Sequence, residues 1–220
     1  MQRVFVDVDT QNDFCLPGGA LFVQGAPAAM PACARLVALA LSEGAPLVGS
    51  VDSHAHDAWE FNTNDHRGPR GEDPRFPPHC VKGTPGWLKV PVTLGGRFYF
   101  VPVVEDARAA ERVPRGTQAV YFEKEVYSLF ANPNAAPVLD ALTPPGPAEF
   151  VVFGVATDYC VRAAALGLLD WIAARPARAG SRVLVVTDAV AAVTEAGGRD
   201  ALRDLAAAGV GLVTSDAVAG

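Results

Sequence analysis

The sequence predicts an α/β fold of three layers, a six-stranded, mostly parallel sheet with helices on both faces. Short β-branched and aromatic runs alternate along the chain with longer segments whose apolar residues recur at three-and-four spacing. Polar residues collect where several of those runs end, as they do at the ligand-binding edge of an open α/β sheet. With 220 residues, 50% of them hydrophobic and 19% charged, the chain can bury one large core, so 1–220 reads as a single domain without repeats.

Arg3 to Asp9 is the first strand, and it runs into Thr10-Gln11-Asn12-Asp13-Phe14 and Pro17-Gly18-Gly19, a loop by composition. Asp9 ends the strand, with Asp7 and Asp13 as its nearest rivals; turn capping is the ordinary explanation for any one of the three. From Ala28 to Glu43, Cys33, Leu36, Val37, Ala40 and Leu41 mark a helix face, and Gly44 ends it. Pro46 to Ser50 is the second strand of a βαβ unit whose crossover should be right-handed.

The segment 51–84 holds all four histidines of the chain, His54, His56, His66 and His79. Asp52 and His54 are two residues apart and share one side of an extended backbone. If Glu60 and His79 fold back onto them, the mixed oxygen and nitrogen set suits zinc, iron or manganese. A polar loop without metal fits the same composition, and His56 or His66 in place of Glu60 is an open alternative.

Val90 to Phe100, with Gly95-Gly96 between apolar arms, suggests a small hairpin laid over the sheet edge. Gln118 to Glu123 is the third core strand, and Lys124 follows Val120-Tyr121-Phe122, so its stem starts in an apolar setting where its pKa is open to change. Asn134 to Leu142 is a short helix, and Thr143 to Pro147 a stiff connector into the strand Glu149 to Val155. Arg182 to Thr187 is the fifth strand, Glu195 to Ala208 a helix stopped by Gly209, and Gly211 to Thr214 the sixth strand.

After Val155, a helix face formed by Val161, Ala164, Ala165, Leu168 and Ile172 begins, and Thr157 or Asp158 can cap it. Cys160 then stands in the first turn, where unpaired amides favour a thiolate and can donate to an oxyanion. On this turn alone two readings stand, a nucleophile or a small apolar residue beneath a sheet.

A formal net charge of -6 disfavours nucleic acid as a partner. No apolar run is long enough to cross a bilayer, and the chain enters its first strand without a basic leader, so no membrane association and a cytoplasmic location are expected. Cys15, Cys33, Cys80 and Cys160 show no C-x-x-C spacing and read as reduced thiols.

Three stretches in order resemble the nicotinamidase branch of the isochorismatase-like cysteine hydrolases. Val8-Asp9-Thr10-Gln11-Asn12-Asp13-Phe14 is similar to that family's opening V-D-x-Q-N-D-F, Phe122-Glu123-Lys124 falls where it has a lysine after a strand, and Gly154-Val155-Ala156-Thr157-Asp158-Tyr159-Cys160-Val161 looks like its G-x-A-T-D-x-C-V turn. Asp52-x-His54 with Phe76-Pro-Pro-His79-Cys-Val-x-Gly-Thr84 is similar to its metal motif, with Glu60 where a third histidine is frequent and Phe76 where tryptophan is usual.

The resemblance implies Asp9 as base, Lys124 as charge stabiliser and Cys160 as nucleophile, with the amides of Ala156 and Cys160 as oxyanion hole and a cis peptide between Val155 and Ala156. It also implies a divalent transition metal, zinc before iron or manganese, at Asp52, His54, Glu60 and His79, which would bind the pyridine nitrogen of the substrate. Phe14 and Phe76 would flank the ring, with Val155, Ala156 and Tyr159 as further pocket residues. The partner would be a small amide, and a homo-oligomer of at least two copies is expected. The competing functions are another amide, ureido or carbamoyl hydrolase of that superfamily, vinyl ether hydrolysis, which has no need of Cys160, and a binding module, which has no need of the three together. A papain-like pair is disfavoured because no histidine lies outside 51–84.

Overall fold

The computed structural model describes residues 1–68 and 71–220. In chain order the elements are β1 (Gln2–Val8), α1 (Asn12–Cys15), α2 (Ala26–Glu43), β2 (Leu47–Asp52), β3 (Phe98–Val101), α3 (Ala109–Arg112), β4 (Ala119–Lys124), α4 (Ala135–Leu142), β5 (Ala148–Val155), α5 (Arg162–Ala173), β6 (Arg182–Ala191), α6 (Glu195–Ala207), β7 (Gly211–Val213) and α7 (Ser215–Ala219). The strands form one sheet in the order β3-β4-β2-β1-β5-β6-β7, and every ladder is parallel.

Strand alternation sorts the apolar residues into two cores. Phe5, Leu47, Val51, Tyr121, Val151 and Phe153 pack with residues of α2 and α7. Val4, Val6, Val8, Val48, Val120, Phe122, Phe150 and Val152 pack with residues of α4, α5 and α6. The expected three layers are present, with helices on both faces. Helix α2 begins two residues earlier than periodicity places it, because Pro27 is tolerated in a first turn whose amides lack partners anyway. It stops as expected at Gly44, which adopts the left-handed conformation.

The sheet has seven strands, one more than expected. Gly95-Gly96 does not turn a hairpin; Pro91–Thr93 forms a 3-10 turn, and Phe98–Val101 joins β4 as a parallel edge strand. Pro91 has no amide to offer a hairpin ladder. The segment is held instead by the Tyr121 hydroxyl, which accepts from Gly95 N at 3.1 Å and donates to Thr93 O at 3.1 Å.

Because all strands run the same way, β4, β2, β1 and β5 end side by side at one edge of the sheet. The connection after β1 runs to β2 on one side and that after β5 runs to β6 on the other, so β1 and β5 flank a topological switch point, the crevice where such sheets bind ligands. Gly154 closes that crevice on the β5 side. It pairs with Val8 at φ 117, and a Cβ there would stand 2.0 Å from the Val8 carbonyl oxygen. Among the described residues no helix is long and apolar enough to span a membrane.

Gly154→Ala is expected to cost about 3 kcal/mol or more through this clash and backbone strain, a fall of about 6–12 °C in Tm for a chain of this size by calorimetry. An unchanged Tm would mean that β1 and β5 separate freely at this point.

Candidate active site

Register delivers two of the charged residues. Asp52 and Lys124 are direct neighbours across β2 and β4, on the face that carries Val48, Val120 and Phe122. Asp9 would not join them by alternation, since residues 5, 7 and 9 of an extended strand point to the opposite face. It does so because its backbone turns over: Asp9 has φ 47, the left-handed region that a residue with a Cβ enters at a cost of about 1–2 kcal/mol. Its amide donates to Ser50 O at 3.1 Å, and Ser50 Oγ donates to Asp9 Oδ1 at 2.8 Å. Lys124 Nζ then lies 2.8 Å from Asp9 Oδ2, ion-paires with Asp52 Oδ1, and stands 3.5 Å from Cys160 Sγ. Oxygens of Asp9 and Asp52 and the sulfur fall within 4.8 Å of one another. The three residues expected to meet do meet, with Asp52 as a fourth member.

Burial governs the charges. It pushes the Asp9 carboxyl up, with Lys124 pulling down and Asp52 adding to the rise. Lys124 is held well above the ordinary lysine range because Asp52 and Asp9 outweigh its own desolvation. Burial also pushes the Cys160 thiol well up; Lys124 opposes this and Asp9 and Asp52 reinforce it. A thiolate favoured by a helix terminus is therefore corrected to a resting thiol that needs a base. The helix start differs too. A wide π-type turn, Thr157–Val161, precedes α5, and neither Thr157 nor Asp158 caps it. Asp158 instead accepts from Val193 N at 3.0 Å and Thr194 N at 3.2 Å, tying the turn to the loop before α6. Cys160 stands one residue before Val161, whose amide donates to Ala156 O at 3.1 Å to make the first wide-turn bond. The Val155–Ala156 peptide is cis, as expected.

Two short bridges fold the 51–84 segment onto itself. His54 N donates to Cys80 O at 3.1 Å and Lys82 N to His54 O at 2.9 Å, while Phe76 N donates to Glu60 O at 3.0 Å and Asn62 N to Phe76 O at 2.8 Å. Asp13 Oδ2 accepts from Cys80 N at 2.7 Å and anchors the returning strand to α1. His54 Nε2 comes 3.1 Å from Glu60 Oε1 and 3.9 Å from Asp52 Oδ2; His79 Nε2 comes 3.3 Å and 4.0 Å from the same two oxygens. All four side chains are buried. Burial works against a charged His54, yet the Asp52 and Glu60 carboxylates raise it to about 9. Burial lowers His79.

A metal fits this set. His54 Nδ1 is buried without a hydrogen-bond partner, and Nε2, though 3.1 Å from Glu60 Oε1, does not meet it in hydrogen-bond geometry, an expensive arrangement for buried polar atoms. His79 Nδ1 is engaged by Pro77 O at 2.8 Å, which leaves Nε2 facing the carboxylates. His56 and His66 are exposed and stand outside the cluster.

A family model described as the isochorismatase domain matches residues 97–217. The nicotinamidase/pyrazinamidase of Mycobacterium tuberculosis is 31% identical over 97% of this chain and 99% of its own length. The chain belongs to the isochorismatase family. The nicotinamidase of Escherichia coli is 26% identical over 96% of this chain and 94% of its own. The crystal structure of a Pyrococcus horikoshii pyrazinamidase in complex with zinc superimposes with a TM-score of 0.71 at 27% identity, covering 97% of this chain and 99% of that one. The matched domain begins beyond 51–84, whereas these relatives span Asp9 and that segment as well.

In this isochorismatase-family chain the site opens into a cleft of about 520 Å³ including its mouth, bordered by Phe14, Phe76, Tyr127, Ala156, Tyr159 and Cys160. Phe14 and Phe76 approach the His79 ring with centroids at 5.5 Å and 5.9 Å. Val155 is corrected: its side chain is fully buried in the core on the α2 face and does not border the cleft. Sequence reasoning missed Tyr127, whose ring packs 5.3 Å from that of Tyr159; its place shortly after Lys124 at a strand end was the available signal. It also missed Gln11, which accepts from Asp52 N and donates to Asp52 O, both at 2.8 Å. This amide joins the turn after Asp9 to the end of β2.

Lys124→Met leaves Asp9 and Asp52 buried together without a cation, so unfolding free energy measured with urea in the presence of chelator should fall by about 3–5 kcal/mol. Unchanged stability would show that Lys124 does not neutralise the pair.

Proposed function

We propose that this protein hydrolyses the carboxamide of a small ring compound, nicotinamide to nicotinate and ammonia, through a thioester on Cys160. The observation that carries the reading is Lys124 Nζ reaching Asp9 at 2.8 Å and Cys160 Sγ at 3.5 Å at the floor of an aromatic cleft. A buried thiol with a raised pKa is a poor nucleophile until a base accepts its proton, and Asp9, itself raised, is suited to accept and return one. Full-length similarity to two nicotinamidases supports the choice of amide.

Asp9 takes the Cys160 proton as the sulfur attacks the amide carbon. The amides of Ala156 and Cys160 receive the oxyanion, and Lys124 offsets the charge that builds around it. As the intermediate collapses the C–N bond breaks, and Asp9 passes its proton to the departing nitrogen, which leaves as ammonia. Water then attacks the thioester with Asp9 again as base; the C–S bond breaks, Asp9 returns that proton to sulfur, and the product leaves as a carboxylic acid whose remaining proton passes to solvent or to the released ammonia.

Asp52, His54, Glu60 and His79 would hold a divalent transition metal; the mixed donor set suits zinc, iron or manganese, and the zinc of the Pyrococcus horikoshii pyrazinamidase supports zinc first. Bound there, a metal supplies a Lewis-acid anchor for a ring lone pair. Phe14, Phe76 and Tyr159 line the space above the sulfur, and their contribution is orientation of the ring. A cytoplasmic location and assembly into at least a dimer belong to the same reading.

Cys160→Ala should abolish ammonia release from nicotinamide with its circular dichroism spectrum intact; retained turnover would exclude the thioester. His54→Ala combined with His79→Ala should lose stoichiometric transition metal by plasma mass spectrometry and raise KM about tenfold or more. Turnover of pyrazinamide and ureido compounds on the same samples separates nicotinamide from other amides, and a metal-free wild-type protein with full activity would remove the metal from the reading.

A further inference from the structure

On the opposite face of the sheet lies a second buried ammonium, that of Lys89, which the proposed chemistry does not use. Lys89 Nζ is 2.9 Å from Asp7 Oδ2 with neither side chain exposed, and 4.4 Å from the centroid of the Tyr121 ring. It donates at 2.8 Å to Thr10 Oγ1, which in turn donates to Asp7 Oδ1 at 2.8 Å and lies 2.6 Å from Thr93 Oγ1. The Thr10 hydroxyl is thus the meeting point of four side chains, all shut off from solvent.

The backbone is clamped at the same residue. Gln11 N donates to Asp9 O at 2.7 Å, a tight turn centred on Thr10, and Val90 N donates to Thr10 O at 2.8 Å. Gln11 bridges Lys89 in antiparallel fashion, and Asn12 N donates to Leu88 O at 2.9 Å. This turn immediately follows Asp9 at φ 47, the conformation that moves the Asp9 carboxylate from the Asp7 face to the Lys124 face. A buried ion pair contributes little net stability compared with apolar residues of the same volume. A fixed geometry is what it can supply.

We propose that Asp7, Lys89 and Thr10 are positioning residues: their buried cluster holds the turn that keeps Asp9 left-handed and its carboxylate beside Lys124 and Cys160. The kinetic part of this inference rests on the proposed amide hydrolysis; the structural part does not.

Thr10→Val keeps the side-chain shape and removes the hydroxyl, while Thr10→Ser keeps it. Thr10→Val should lower kcat for nicotinamide by about 10- to 100-fold with KM little changed, and Thr10→Ser should restore kcat to within about threefold of the parent, because misplacement of a reacting group by an ångström is enough for such losses. A crystal structure of Thr10→Val should show Asp9 out of the left-handed region and its hydrogen bond from Ser50 lost. If Thr10→Val does not fold, Asp7→Leu combined with Lys89→Met removes both charges together and should show the same loss and the same displacement. Parental kcat in either variant, or an unmoved Asp9 in its crystal structure, overturns the inference. A wild-type protein inactive on nicotinamide would instead remove the functional reading, and the crystal structures would then decide the positioning role alone.

Discussion

The site depends on one ammonium held without solvent between two carboxylates. Lys124 occupies a position in β4 where its stem runs through the apolar layer of Val120 and Phe122, and a lone charge there would face a desolvation penalty of several kcal/mol. Asp52 across the ladder and Asp9 from the end of β1 make that burial tolerable. The dependence is mutual. Without Lys124 the two aspartates would be like charges in a dry space, and without them Lys124 would have no partner strong enough to keep it charged.

This shared charge also joins two functions that the sequence reads as separate. Asp52 contacts Lys124 through one oxygen, while its other oxygen faces His54 and His79. The candidate metal cluster and the Asp9–Lys124–Cys160 group therefore meet at one carboxylate. Gln11 adds a backbone link between the same two halves, since it bonds both main-chain groups of Asp52 from the turn after Asp9.

Much of this arrangement was legible in the chain. Residues at strand ends, Asp9, Asp52, Lys124 and the turn leading to Cys160, stood out because local patterning marks where a strand stops, and parallel strands that stop together converge at one edge. Less legible was whatever depends on distant neighbours. The helix field at Cys160 suggested a thiolate, but burial and two nearby carboxylates prevail. Gly95-Gly96 suggested a hairpin, but the Tyr121 hydroxyl and the free edge of β4 took that segment instead. Val155 adjoins the reacting turn in sequence, yet its side chain belongs to the core.

The sequence by itself determined the parallel α/β architecture, the boundaries of the main strands and helices to within a few residues, and the identity of the residues that gather at the sheet edge. Each of these follows from periodicity, composition or motif within a short stretch of chain. Tertiary structure alone decided that a seventh strand forms, that Tyr127 walls the cleft, and that Lys89 from a distant loop pairs with Asp7. It also decided the face on which Asp9 lies. Alternation places Asp9 with Asp7, and only a reversed φ, supported by contacts from residues some 40 to 80 positions away, brings its carboxylate to Lys124. The sign of one backbone angle is not encoded in any local pattern, because its cost is met by neighbours that the fold supplies.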